Sequence, residues 1–287
     1  MVAVDVSTGN QTEISQYPDP PNDQVAYGAF DGRWLVWAEG YSLSNMADWA
    51  MLAWDSRTGS VLTLYRSSDE GASPSDPIQT IPSVQNGLAT WTEVSDRVSY
   101  VHLYNLRTQS DVVIYRGRAA LGAFWGSDLL LTIEAPPRTD RFVAYSTRSH
   151  KQVALPTALA KVRGITYLAA TRNQVVWAGS QSKGVWIWRS GYQRAKQIAS
   201  ATGYAEFFGE ADSDFIWTLG GSNGSVVADP STRSIAKFPF QYPEVAATGN
   251  AILVGYSLPG QGKTENPLVI NSVLNVANLP RLPRCPG

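Results

Sequence analysis

Three glutamates, Glu39, Glu93 and Glu134, each close a strongly apolar, strand-like run: WLVWAEG, LATWTEV and LLLTIEA. A carboxylate at the same point of three successive repeats would form an acidic arc along one rim, suited to a cationic or hydroxyl-rich partner. Two carboxylates facing each other could instead act as general acid and base, as in a carbohydrate hydrolase or lyase. Glu206 and Glu210 are further candidates for such a pair. A third reading is structural: each carboxylate accepts nearby backbone hydrogen bonds or pairs with Arg97, Arg138 or Arg141. Distance narrows the choice. Neighbouring sheets pack about 10 Å apart, whereas oxygens sharing one calcium lie within about 2.3–2.6 Å of it. One metal therefore cannot gather all three. The separation also exceeds the roughly 5–5.5 Å of a retaining glycosidase pair and approaches the roughly 6.5–9.5 Å of an inverting one.

Aromatic residues offer a second kind of site. Tyr41 and Trp49 flank the long segment GYSLSNMADW (40–49), and Trp125 lies at another such boundary. An exposed ring there could stack on a sugar or anchor a partner; packing against a neighbouring loop is the alternative. Trp37, Trp91, Trp177 and Trp217 share one repeat position, which predicts that they fill the gaps between sheets.

Other chemistries find little support. The chain has 1 Cys, Cys285, so no intrachain disulfide or Cys-based zinc site can form. Its 2 His, His102 in an alternating strand and His150 in a turn, do not make a metal-binding pair. The stretch SSDEGASP (67–74) matches the sialidase-type box S-x-D-x-G-x-x-W through Ser67, Asp69 and Gly71, but Pro74 stands where Trp is needed, which reads as a polar loop. SLPGQGKT (257–264) has Ser257 where a phosphate loop needs Gly, and Asn266-Pro267 follow where a helix should start. No cofactor and no metal are expected. A formal charge of −1 predicts no general attraction to nucleic acid or anionic membrane, and no apolar run approaches the roughly 18 residues of a membrane span. The chain enters a strand pattern by Val2 without a basic, then apolar, leader; it is expected to be either cytoplasmic or the mature part of an exported protein.

The elements that must position these residues repeat along the chain. An outer phrase, a strand, a polar turn and a second strand, recurs at 2–15, 50–65, 98–115, 141–156, 184–199, 225–239 and 267–280. Asp5, Asp55, Asn105 and Asp229 sit where a short polar side chain can bond the backbone of the turn, and Gly9 and Gly59 can supply positive φ. An inner phrase, a small-residue strand, a tight turn and a strongly apolar strand, recurs at 25–40, 83–94, 121–135, 165–179, 204–220 and 243–257. Strands covered on both faces read as near-continuous apolar runs, and small residues suit strands crowding a central axis. Only 157–163 suggests a short helix. Two strands plus two strands make a blade. The expected fold is therefore an all-β propeller of four-stranded antiparallel blades, in one domain over 1–287 with an extended Pro-rich tail at 280–287. Six inner phrases predict six blades, with residues 2–15 joining the last blade beside or instead of 267–280. Seven blades, one incomplete, is the alternative.

The outer phrase resembles the Y-D-x-x-T-G turn of TolB-like and related WD-repeat-like bacterial propellers, and the inner phrase resembles their G-D-x-[IV]-V-W-x-[DE] strand. Asp31, Gly32, Val36, Trp37 and Glu39 match in the first copy, and Asn86, Gly87, Trp91 and Glu93 in the second. Gly126, Asp128 and Glu134 match in the third, and Asn173, Val176 and Trp177 in the fourth. The fifth and sixth copies carry Leu219 and Tyr256 at the acidic position. The resemblance spans the chain and implies a fold shared by proteins of many functions, and an exported bacterial protein, periplasmic or extracellular after loss of a leader. The expectation is a non-catalytic binding or scaffold module, a monomer or part of a larger chain. It would engage a protein or glycan partner through Glu39, Glu93, Glu134, Tyr41 and Trp49 and the loops 16–24, 40–49, 66–82 and 257–266. A carbohydrate-active hydrolase or lyase is the alternative.

Overall fold

The computed structural model describes residues 1–5, 8–14, 24–41, 48–67, 81–135, 139–179, 184–200, 205–211, 214–219, 225–229, 234–238, 244–248, 251–258 and 268–275. Contacts divide the chain into two compact units, Met1–Leu155 and Pro156–Gly287.

In the first unit, β1 (Val2–Val4) and β2 (Gln11–Glu13) form a hairpin. Three four-stranded antiparallel sheets follow, each in chain order. The first comprises β3 (Gln24–Phe30), β4 (Trp34–Gly40), β5 (Trp49–Asp55) and β6 (Val61–Arg66). The second comprises β7 (Ser83–Gln85), β8 (Leu88–Ser95), β9 (Val98–Asn105) and β10 (Ser110–Gly117). The third comprises β11 (Ala119–Trp125), β12 (Asp128–Ala135), β13 (Thr139–Ser146) and β14 (Gln152–Val153).

The second unit opens with a short helix, α1 (Thr157–Ala160), inside the expected segment. Two more four-stranded sheets follow: β15 (Ile165–Ala170), β16 (Gln174–Gly179), β17 (Gly184–Arg189) and β18 (Lys196–Ser200), then β19 (Ala205–Ala211), β20 (Asp214–Leu219), β21 (Ser225–Asp229) and β22 (Ser234–Phe238). The last sheet has three strands among the described residues: β23 (Glu244–Thr248), β24 (Ala251–Leu258) and β25 (Leu268–Asn275).

Each inner phrase folds as a hairpin pairing the first two strands of a sheet. Among the described residues the outer phrase forms its hairpin at every copy but one. Residues 268–275 run as a single strand, because β25 stays in unbroken register with β24 from Leu268 to Asn275. The turns use the expected chemistry. Asp55 Oδ1 accepts the Arg57 N–H at 3.0 Å, and Asn105 Oδ1 accepts the Arg107 N–H at 3.0 Å. Gly59 takes φ +72°, a region that side chains with a Cβ rarely adopt.

Strand periodicity explains the packing. On β4 and β5, Trp34, Val36, Ala38, Trp49, Met51 and Ala53 turn to one face and meet Ala89, Trp91, Tyr104 and Leu106 of the second sheet. The alternate residues Trp37, Ala50, Leu52 and Trp54 turn to the other face and cover Ile14 of the N-terminal hairpin. The second sheet repeats the arrangement: Val101 and Leu103 pack against Phe124, Leu129, Leu131 and Val143 of the third. Every residue of β5 is buried, whereas outer strand β6 buries only part of one face. The first strands of consecutive sheets lie side by side within each unit, β3 by β7 and β7 by β11, then β15 by β19 and β19 by β23. Within the third sheet the small residue at 122 makes room for its cross-strand partner: a Cβ on Gly122 would come within 3.1 Å of the Leu131 side chain on β12.

A feature invisible in the sequence repeats too. The first hairpin of four sheets carries a bulge near the start of its first strand, at 26, 120, 166 and 206. A bulge bends a strand and increases its twist, so each sheet is bent at the same point.

Trp37 is fully buried between two sheets. Trp37→Ala should cost about 3–5 kcal/mol, while Val113→Thr on the exposed face of β10 should stay within about 0.5 kcal/mol. Urea unfolding of the two variants checks the contrast.

Candidate functional site

Glu39 lies two residues beyond Trp37 on β4, so the strand period puts both on one face. Both are buried, and the Trp37 indole N–H donates to Glu39 Oε2 at 3.1 Å. Glu93 is its register equivalent. Trp37 pairs across the strands with Leu52, and Trp91 with His102; each glutamate follows two residues later. Glu93 is equally buried but is drawn to His102, whose Nε2 lies 3.3 Å from Glu93 Oε2.

His102 is bonded on both sides. Its Nδ1 lies 2.7 Å from Asp111 Oδ2 on β10, and its ring stacks on Trp91 with centroids 4.8 Å apart and planes 3° from parallel. Burial by itself would lower the imidazole pKa. The hydrogen bonds and charges of Asp111 and Glu93 outweigh it and raise the value to about 9.

Glu134 departs from the expected arc. Leu131, paired with Val143, is the residue in register with Trp37 and Trp91, and two residues on stands Ile133. Glu134 is offset by one position and therefore turns to the opposite face of its sheet. It is about one-third exposed and accepts a hydrogen bond from Arg118 Nη1 at 3.0 Å. Arg118 is not among the arginines expected from the sequence. Opposite Glu134 in register stands Asp140, whose pKa is raised, first by burial and then by the Glu134 charge. The three glutamates thus do not form a continuous exposed arc: two are buried, and the third faces the other way.

The aromatic candidates separate similarly. Trp49 is buried rather than exposed, because β5 begins at this residue and the strand period turns its ring with Met51 and Ala53 into the inter-sheet core. Its backbone N–H donates to Ser67 Oγ at 2.9 Å and its ring centroid lies 4.9 Å from that of Tyr65. Tyr41 is half-buried where β4 ends, with the Arg66 guanidinium 5.7 Å from its ring centroid. Trp125 is half-buried at the end of β11. Glu206 falls on the bulge of β19, and Glu210 pairs with Phe215. Residues 16–23, 42–47, 68–80 and 259–267, the bulk of the expected binding loops, lie outside the described residues, as do most of 67–74 and 257–264 and all of 280–287.

Polar residues that sequence reasoning did not single out for contact tie the sheets together. Asp31 Oδ1 accepts the N–H groups of Arg33 and Trp34, while its Oδ2 accepts the N–H of Gly87 in the second sheet at 3.2 Å. Gln85 Nε2 donates to the Gly126 carbonyl at 3.2 Å, linking the second sheet to the third. The Arg33 guanidinium grips Asp55 with Nε at 3.0 Å from Oδ1 and holds that carboxyl below the usual range. An Asp-Gly turn was legible in the sequence; its reach to the next sheet was not. Among the described residues, no group of three His, Cys, Asp or Glu side chains is arranged to hold a metal ion, and no helix is long and apolar enough to cross a membrane.

No family model and no curated protein matches the chain. Solved structures do. TolB from Acinetobacter baumannii aligns with a TM-score of 0.56 at 11% identity, over 83% of this chain and 57% of its own. The β-propeller domain of the trilobed protease from Pyrococcus furiosus aligns at 0.51 and 7% identity, over 90% and 97%. An oligogalacturonate lyase in complex with manganese aligns at 0.55 and 12% identity, over 97% and 81%. The protein is an all-β protein of the β-propeller class. At the level of fold it resembles TolB-like propellers, and it spans little more than half of the TolB chain.

Glu39→Gln keeps a carbonyl acceptor for the Trp37 indole and should cost less than about 1 kcal/mol. Glu39→Leu strands a buried N–H and should cost about 1–3 kcal/mol. Chemical denaturation distinguishes the two.

Proposed function

We propose that this chain is a non-catalytic binding or scaffold module that engages a protein or glycan partner through one rim of its sheets. The observation that carries this reading is the engagement of the carboxylates. Glu39 holds a buried indole, Glu93 holds a buried imidazole, and Glu134 pairs with Arg118 on the opposite face of its sheet. Carboxylates fixed in this way support the framework of the rim rather than an acid–base pair. Tyr41 and Glu134 emerge where the second strands β4 and β12 end, and both retain exposed surface. They are the rim residues best placed to touch a partner; Glu39, Glu93 and Trp49 support that rim from within.

The reading takes residues 1–287 as a single propeller of six blades, one for each inner hairpin, with seven the alternative. It takes the chain to be exported from a bacterium, to the periplasm or beyond, as a monomer or as a module of a larger protein. A carbohydrate-active lyase or hydrolase is the second reading. It is favoured by the near full-length fold likeness to an oligogalacturonate lyase, a likeness that extends to the fold alone.

A glycan array and a phage-displayed peptide library would test the proposal. The expected result is a saturable ligand whose affinity falls at least about tenfold in a Tyr41→Ala, Glu134→Gln double variant and is unchanged in Glu39→Gln; a tenfold change is about 1.4 kcal/mol. Release of unsaturated sugar ends from oligogalacturonate, with manganese supplied, would overturn it in favour of the lyase.

A further inference from the structure

The arrangement around His102 requires more of the imidazole than packing. A neutral imidazole has one N–H donor, and an imidazolium has two. Here each ring nitrogen meets a different carboxylate, Asp111 at 2.7 Å and Glu93 at 3.3 Å, and the side chain is 6% exposed. Only the protonated ring can donate to both. Its face lies against Trp91, where a cation is favoured by the indole ring. The three side chains come from β8, β9 and β10, so the proton joins three adjacent strands of the second sheet. The titratable groups facing it among the described residues are Glu93 on β8, Asp111 on β10, Tyr65 on β6 of the first sheet, with ring centroids 5.8 Å from His102, and Tyr104 on β9.

We propose that Glu93, His102 and Asp111 form a pH-sensitive clasp: while protonated it fastens outer strand β10 to the sheet and holds Trp91 in the interface between the first and second sheets, and loss of the proton breaks one of its two carboxylate bonds and loosens that hold. Deprotonation leaves one ring nitrogen with its lone pair directed at a carboxylate. If that carboxylate is Glu93, a buried acceptor loses its donor, which destabilises the fold. Asp111 is over one-third exposed and gives solvent a route to the proton. The other end of the device is β10 itself, an outer strand whose Val112 and Val113 are exposed. Loosening it would uncover a strand edge flanked by apolar side chains. The folded chain binds this proton more tightly than the unfolded chain does. The contribution is therefore complete below about pH 6.5 and is lost as pH rises towards about 9.

The chain has 2 His, so ring-nitrogen NMR of the full protein, assigned with His150→Gln, reads the state of His102 directly. The expected result is two protonated ring nitrogens at pH 7, one of which loses its proton with a midpoint near 9 while the other keeps its N–H. A bare ring nitrogen on His102 at pH 7 would overturn the proposal. Urea midpoints of the wild type and of Asp111→Asn, measured from pH 6 to pH 10, supply the second readout. The amide introduced by Asp111→Asn can donate to a neutral imidazole that in turn donates to Glu93, so this variant should remain folded and lose most of the wild-type decline between pH 7 and 9. Parallel curves for the two proteins would mean that the charge clasps nothing.

Discussion

The structure depends on one constraint, that the second and third strands of a sheet must be buried on both faces. Strands β4 and β5 satisfy it by sending alternate residues to opposite interfaces: Trp34, Trp49 and Met51 to the second sheet, Trp37, Leu52 and Trp54 to the N-terminal hairpin. Burial of a polar group on those strands is costly without a partner: Glu39 finds the Trp37 indole, whereas the buried indole N–H groups of Trp34 and Trp49 have no hydrogen-bond acceptor among the described residues. A register slip of one residue would exchange the two sets and place Glu39 among the residues facing the second sheet. Repetition of the pattern from sheet to sheet follows, because each face needs a complementary neighbour.

The same constraint decides what the acidic residues do. Glu39 and Glu93 sit on the tryptophan face, two residues beyond Trp37 and Trp91, where solvent is excluded. In the first sheet the partner is the indole of the same strand. In the second, His102 occupies the cross-strand position held by Leu52 in the first, and the carboxylate turns to it. A histidine in place of a leucine in the repeat thereby extends an indole–carboxylate contact within one strand to a network spanning three strands. Glu134, offset by one residue, escapes the interface and pairs with Arg118 near solvent. Equivalent-looking carboxylates thus take three different roles according to register.

Much of the architecture was legible in the sequence. Alternating apolar runs, Asx turns at Asp55 and Asn105 and the glycine at 59 marked the hairpins, since these signals act within a few residues. Burial of Trp37 and Trp91 followed from their shared repeat position. The site was less legible, for physical reasons. Aligning LLLTIEA with WLVWAEG by eye matches Glu134 to Glu39, but cross-strand pairing with Val143 places Leu131 at the tryptophan position. The partners of Glu39 and Glu93 depend on which face a strand turns inward and on a neighbour one strand away. Trp49 reads as the end of a loop in the sequence, whereas β5 begins at that very residue. The recurring bulges leave no residue-type signature, and the eight-residue run of β25 reads as a turn where only pairing with β24 decides otherwise.

The central claim, that Glu39 and Glu93 belong to the interior of the sheet stack and not to an open acidic rim, can be tested by carbodiimide labelling of the native protein with peptide mapping. The account predicts that Glu39 and Glu93 are protected while Glu134 and Asp111, each about one-third exposed, react. Labelling of Glu39 and Glu93 at the rate of Glu134 would contradict it and restore the exposed arc.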